Sequence, residues 1–349
     1  MGLVAPVPLS TVAREWGRIG ALGFGGPPAH VALLRDLTVE RHEWLDQREF
    51  EDAFAACNLL PGPASTQMSI YCAQRVAGRA GGIVGGLAFI LPGLLVCLVI
   101  AAVALQDEPP AAVDAFGAGA AAAVVAVVVQ AGLKLIDPRR GLPYVIAGAV
   151  GAALAGPYVV AILLLAGGFE LTRQKVLSVM WPALIWLAAK VGALSYGGGY
   201  VIIPLMYGDA VEAHGWMSEQ AFANAVAYGQ ITPGPVTHTV ALVGYAAGGI
   251  GPALVATAVA FAPSFAFILL GARHFGRLRT SPNARAFLDG AGPAAAGAIL
   301  GAAVPLLGSI DTAWQWVVLA AAAVALLLRV PPLAVLVAGA IAGLATTLF

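Results

Sequence analysis

The chain has 349 residues, 60% of them hydrophobic and only 10% charged, with a mean hydropathy of +0.88 and a formal net charge of zero. Soluble domains carry about 25% charged residues, so the composition excludes an ordinary water-soluble globule. The balanced charge makes no electrostatic case for nucleic acid, and the lack of a large polar domain argues against a receptor or a membrane enzyme with an extramembrane head.

In chain order, Met1 to Ser10 lack the charged start and apolar core of a removable signal peptide, and none is expected. The first apolar segment leads into "GALGFGGPPAHVALL" from Gly20, then a loop with Arg35, Arg41 and Arg48 and the pattern Glu40-x-His42-x-Trp44. Segment two, about Phe50 to Ala77, carries "CNLLPGPAST" in its middle. Long apolar runs follow from Ile83 to Leu105 and from Val113 to Leu135. Each matches the roughly 20 residues that a helix needs to cross a bilayer. Two shorter segments, 142–155 and 158–171, read as a hairpin that need not fully span. After the charged joint "LTRQK" come "ALIWLAAKVGALSYGGGYVIIPLM", a loop with Glu212, His214 and Trp216, and a segment from about Phe222 to Gly248 that contains "GQITPGPVTH". The runs are continuous rather than alternating, which favours helices over a β-barrel. The fold class expected is an all-α polytopic membrane protein.

The same order appears twice. At an offset of 172, Gly20 to Leu34 falls on Gly192 to Met206, Glu40, His42 and Trp44 on Glu212, His214 and Trp216, and "LLPGP" on "ITPGP". "AFILPG" from Ala88 falls on "AFAPSF" from Ala260, and one residue out of step Ala115-Phe116 falls on Ala286-Phe287. The spacing predicts a duplication with halves 1–171 and 172–349.

Basic residues near span ends favour the cytoplasm, and they change sides between the halves. The loop with Arg35, Arg41 and Arg48 matches a loop without Lys or Arg; Arg75 and Arg79 also have no basic counterparts. Conversely, "QDEPP" matches a loop with Arg273, Arg277, Arg279 and Arg285, while Lys134, Arg139 and Arg140 stand against "SIDTAW". This predicts an inverted-topology repeat. Inversion needs an odd number of spans per half, so segment two and its partner read as re-entrant or broken helical hairpins. That leaves about ten transmembrane helices, with both termini outside.

In hydrocarbon, irregular backbone is tolerated only in a cavity or buried in protein. Each half has two such breaks: Gly25, Gly26 and Pro27, matched by Gly197, Gly198 and Gly199, and Pro61, Gly62 and Pro63, matched by Pro233, Gly234 and Pro235. Pro63 and Pro235 suit the first turn of a helix. The N–H groups after them, at Ser65, Thr66 and Gln67 and at Thr237, His238 and Thr239, together with the side chains of those residues, would make an anion site at a positive helix end. Lys190 and its mate Arg18 precede the glycine breaks and would add positive charge, or else snorkel to an interface. Asn58 and Gln230 are mates that would donate to an anion or satisfy broken backbone. His30 and His238 are not mates; each suits a proton carrier, an anion ligand or a hydrogen-bonded packing residue. Asp52 falls on Asn224, so no shared carboxylate is indicated. Trp44 and Trp216 read as interface anchors and Asp46 and Ser218 as helix caps. Cys57, Cys72 and Cys97 lack metal-ligand spacing and read as small buried hydrophobes, with no metal and no cofactor expected.

"GFGGPPAH", Glu-x-His-x-Trp, "LLPGPAS", "SYGGGY" and "TPGPV" together resemble the chromate ion transporter family over essentially the whole chain. The resemblance implies a plasma-membrane, multi-pass, two-domain secondary carrier that exports chromate and confers resistance to it, with sulfate as a related substrate or competitor. Carried over, the family's motif residues are Gly25, Gly26, Pro27, Pro61, Gly62, Pro63, Pro233, Gly234 and Pro235; Gly199 stands where Pro27 would be matched. The partners expected are an inorganic oxyanion, the lipid bilayer and, as an option, a second copy in a homodimer. An anion channel and a sulfate-type uptake carrier are the competing functions. No catalytic residue set is legible.

Overall fold

The computed structural model describes residues 7–60, 62–106, 109–135, 180–195, 200–272, 275 and 282–348. Among them all regular structure is helical. Segments 142–155 and 158–171 lie outside the described residues, as do Arg139, Arg140, Arg273, Arg277 and Arg279. Helices Ala64–Ala104, Ala111–Lys134 and Ile250–Gly271 are long and apolar enough to cross a membrane.

The first half opens with α1 (Leu9–Leu22), α2 (Pro27–Arg35) and a π-helical turn (Asp36–Arg41), followed by α3 (Gln47–Leu59), α4 (Ala64–Ala104) and α5 (Ala111–Leu135). The second half opens with α6 (Met180–Leu194), α7 (Ile202–Tyr207) and a π-helical turn (Gly208–Ala213), then α8 (Glu219–Ile231), a 3-10 turn (Val236–His238), α9 (Thr239–Gly248) and α10 (Ile250–Gly271). α11 (Pro282–Gly308), α12 (Ala313–Leu327) and α13 (Pro332–Ala345) complete it. The π-helical turns, and likewise α3 and α8, occupy the same places at an offset of 172. Asp46 caps α3 by accepting from the Glu49 N–H, and Ser218 caps α8 by accepting from that of Ala221. Between turn and cap, His42 stacks on Trp44 at 4.3 Å and His214 on Trp216 at 4.8 Å.

α4 is a helical hairpin rather than one rod. Its backbone leaves helical geometry at Ala77 and Gly78 (φ 68°, ψ −165°). Gly81, Gly82 and Gly86 then pack back on Ala73, Gln74 and Ile70. The same turn occurs at Gly249 (φ 85°, ψ −157°) between α9 and α10. Sequence reading placed a loop between segments two and three; the chain instead reverses within about two residues, because glycine alone adopts this conformation without strain.

α3 and the arm 64–76 also fold back on each other. Glu49, in the first turn of α3, accepts from Tyr71 Oη at 3.3 Å and pairs with Arg75, both near the far end of the arm. At about 1.5 Å per residue, 13-residue α3 and α8 are each about 20 Å long, short of a hydrocarbon core of about 30 Å.

The long arms set the frame. A Cβ on Gly20 would overlap the Phe89 carbonyl, and one on Gly192 would overlap that of Ala260. Thus α1 meets α4, and α6 meets α10, at backbone contact distance. These contacts make Phe89 and Ala260 equivalent, an offset of 171 that also relates Pro92 to Pro263, so the match of Ala88 with Ala260 is one residue out. The second half is one residue shorter between Gly234 and Gly249, and the 3-10 turn at Val236–His238 accommodates the difference. Three residues rising about 2.0 Å each cover what four α-helical residues cover.

The long arm of α4 runs antiparallel to α10, with Gly82 against Leu269 and Gly86 against Phe265. α5 lies at the centre of a second cluster and packs on α8, α11, α12 and α13. Its Ala115 and Gly119 face Gly343 and Gly339 of α13 so closely that a Cβ on either of those glycines would strike α5.

Candidate functional site

Each Pro-Gly-Pro break is held by the opposite half. The Gly62 N–H donates to the Ser195 carbonyl at 3.1 Å, and the Gly234 N–H donates to the Gly23 carbonyl at 3.1 Å. Gly23 and Ser195 are repeat mates that end α1 and α6, so the two bonds are equivalent. Gly62 and Gly234 have φ values of +114° and +90°, a region in which a side chain is strained. We call these contacts the first and second junctions.

At the first junction, a Cβ on Gly62 would lie 2.7 Å from Gln67 Nε2, 3.1 Å from Ser264 Oγ and 3.3 Å from the Gly192 carbonyl. Ser65, Thr66, Ser195 and Ser264 are buried, and their hydroxyls have no hydrogen-bond partner among the described residues. At the second junction, a Cβ on Gly234 would lie 2.9 Å from His238 Cε1, and one on Gly93 would lie 2.6 Å from the same ring. Thr237 and His238 are fully buried, and Thr237 Oγ1 has no partner among the described residues. Buried polar groups are normally paired. A concentration of unpaired hydroxyls beside two irregular backbone segments is what a polar ligand would complete.

Several predicted residues come together here: Gly62, Pro63, Ser65 and Thr66 at the first junction, and Pro233, Gly234, Pro235, Thr237 and His238 at the second. Pro63 is the N-cap of α4 and Pro235 that of the 3-10 turn. Three backbone donors need correction, the first being the Thr239 N–H, which is taken by the Val236 and Thr237 carbonyls. The Gln67 N–H is taken by the Pro63 carbonyl at 3.0 Å and the His238 N–H by the Pro235 carbonyl at 2.9 Å, as soon as the first turn closes. Pro61, Gly197 and Gly198 lie outside the described residues.

Other predicted residues sit elsewhere. Lys190 is buried, but its Nζ donates to Asp209 Oδ2 at 2.5 Å, so a carboxylate in the π-helical turn neutralises it. Arg18 is exposed in an outer groove with Glu15, Asp36 and Arg41. Gly25 is exposed, Gly26 and Pro27 are half-buried at the start of α2, Asn58 is exposed and Gln230 is half-buried. Sequence reasoning missed Ser195, Ser264 and Asp209. Ser264 follows Pro263 in α10, in the place that Gly93 holds after Pro92 in α4, and the shifted register concealed that match. The three cysteines are buried and free, and Cys97 Sγ lies 3.5 Å from Thr232 Oγ1 at the edge of the second break. A separate cleft of about 410 Å³, lined by Asp46, Arg48, Glu49, Asp52 and Tyr71, opens at the outer end of the α3–α4 hairpin.

A family profile described as "Chromate transporter" matches the chain twice, over residues 10–171 and 182–344. A chromate transport protein of Cupriavidus metallidurans is 31% identical over 93% of this chain and 89% of its own length. One from Pseudomonas aeruginosa is 30% identical over 81% of this chain and 77% of its own length. A probable chromate transport protein of Synechococcus elongatus is 28% identical over 85% of this chain and 84% of its own length. No solved structure matches the chain.

Proposed function

The chain belongs to the chromate transporter family, and we propose that it is a secondary active carrier that exports chromate across the plasma membrane, with sulfate as a competitor. The observation that carries this reading is the pair of buried junctions, each joining a broken helix of one half to the end of a helix from the other. A tetrahedral dianion leaving water needs many donors to replace its hydration. Among the described residues, the hydroxyls of Ser65, Thr66, Ser195 and Ser264 stand unpaired at one junction and that of Thr237 at the other. Neutral donors suit an ion that must also leave, since a fixed full charge would hold it.

We further propose that halves 1–171 and 172–349 are inverted repeats with about ten spans and two re-entrant hairpins. Mates related by an axis in the membrane plane run antiparallel, and the long arm of α4 and its mate α10 do so. The short arms and the Glu49–Arg75 closure fit a hairpin that enters and leaves on one side. Alternating access then works by loosening one junction while the other stays closed.

The test is binding to the purified protein. Chromate should bind saturably, and sulfate and molybdate should compete better than phosphate, which carries more protons near neutral pH. Indifference to all tetrahedral oxyanions would refute the substrate class.

A further inference from the structure

The junctions share a frame and differ in what lines them. The first is lined by neutral groups: Gln67, Ser195 and Ser264. The second is flanked by two imidazoles. His30 Nε2 lies 2.7 Å from the Gly23 carbonyl oxygen, which also accepts the Gly234 N–H. A carbonyl can only accept, so Nε2 carries the proton, and Nδ1 is left as a lone pair without a partner among the described residues. His238 reaches the junction from the other side. The Ile90 and Pro233 carbonyls lie beside its ring, but neither nitrogen is in hydrogen-bonding geometry with a described residue. Both histidines have 0% exposure.

The shared frame requires neither ring. His30 falls on Ile202 in the other half, and His238 holds the place that Gln67 holds at the first junction. Besides Gly23, Pro233 and Gly234, the described groups around the rings include Phe89, Ile90 and Gly93 of α4, Phe261 of α10, and each other. The titratable groups on the packed elements are engaged or remote. Cys97 meets Thr232, Lys190 is paired with Asp209, Glu219 accepts from Tyr207, and Tyr228 donates to the Val113 carbonyl. Arg18, Arg35, Arg75 and Arg79 are exposed, and no described carboxylate acts on either ring. An imidazolium here would therefore lack a counter-charge until an anion supplies one, and in a low dielectric that attraction is strong.

We propose that His30 and His238 form a proton site coupled to the oxyanion. When the dianion arrives, a lone pair on one of the two rings takes a proton from water on the open side. When the anion leaves, the proton returns to water on the side then open. No other bond changes. The proposal rests on the transport reading and goes beyond it by naming the coupled ion and the residues that hold it.

The test is chromate binding to the full-length protein by calorimetry from about pH 5 to 8 (the range in which histidine titrates) in buffers of different ionisation enthalpy. Chromate's own protonation, measured without protein, is subtracted. The wild type should take up protons on binding, with affinity rising up to about tenfold per unit fall in pH when one proton is linked. His238→Gln, which copies the first junction, and His30→Gln should each flatten that slope, and the double variant should abolish it. Wild-type binding without proton uptake, or the same slope in both single variants, overturns the proton site whatever the fate of the double variant. A wild type that binds no chromate at any pH contradicts the transport reading instead.

Discussion

Lys190 and Asp209 sit 2.5 Å apart, 5% and 7% exposed. Two ions removed from water are tolerated together because each offsets the other's desolvation. Removing Lys190 alone leaves a buried carboxylate, so Lys190→Ala is expected to lose about 3–5 kcal/mol of stability, and Lys190→Ala with Asp209→Ala to regain much of it. Thermal unfolding in detergent checks this, and a double variant no more stable than the single one would contradict the coupling. By contrast, Arg329→Ala, at an exposed left-handed turn, should be close to neutral. The sequence singled out Lys190 because a charge in an apolar segment demands a reason. It did not reveal the partner. Asp209 lies 19 residues later in what reads as an interfacial loop, its repeat mate is apolar Leu37, and only the π-helical turn brings it inward. Ser195 and Ser264 were hidden for a similar reason: an isolated serine in an apolar run carries no signal until the fold sets it beside a broken helix.

At the scale of elements, the breaks, the caps and the paired order of helices were legible, because proline, glycine and capping residues act locally. The junction bonds were not, since each joins residues far apart in sequence. Nor was the reversal inside α4, which rests on one glycine among many. Gly93 shows how tightly these elements fit: a Cβ there would overlap the Pro233 carbonyl and lie 2.6 Å from the His238 ring. Gly93→Ala is expected to cost about 1–3 kcal/mol through overpacking and to disturb the second junction. Gly17→Ala, where the nearest atom would be 3.9 Å away, serves as the mild control on α1. Equal thermal stability of the two variants would show that the junction has room to spare.

At the scale of the whole molecule, the helical membrane class followed from composition, and the twofold order from motifs in register. Two matched junctions, held by equivalent bonds between the halves, differ in the side chains that line them. The proposed carrier would bind its ion on one side and release it on the other, so ion on the far side would speed return of the loaded form. The direct measurement is chromate exchange in vesicles reconstituted with the full chain. Uptake should saturate and rise when the vesicles are preloaded with chromate, and Ser264→Val should lower it at least tenfold, since a hydrogen bond to a charged group contributes about 1.5–3 kcal/mol. Flux that neither saturates nor responds to preloading, and that Ser264→Val leaves unchanged, would contradict the carrier and its site together.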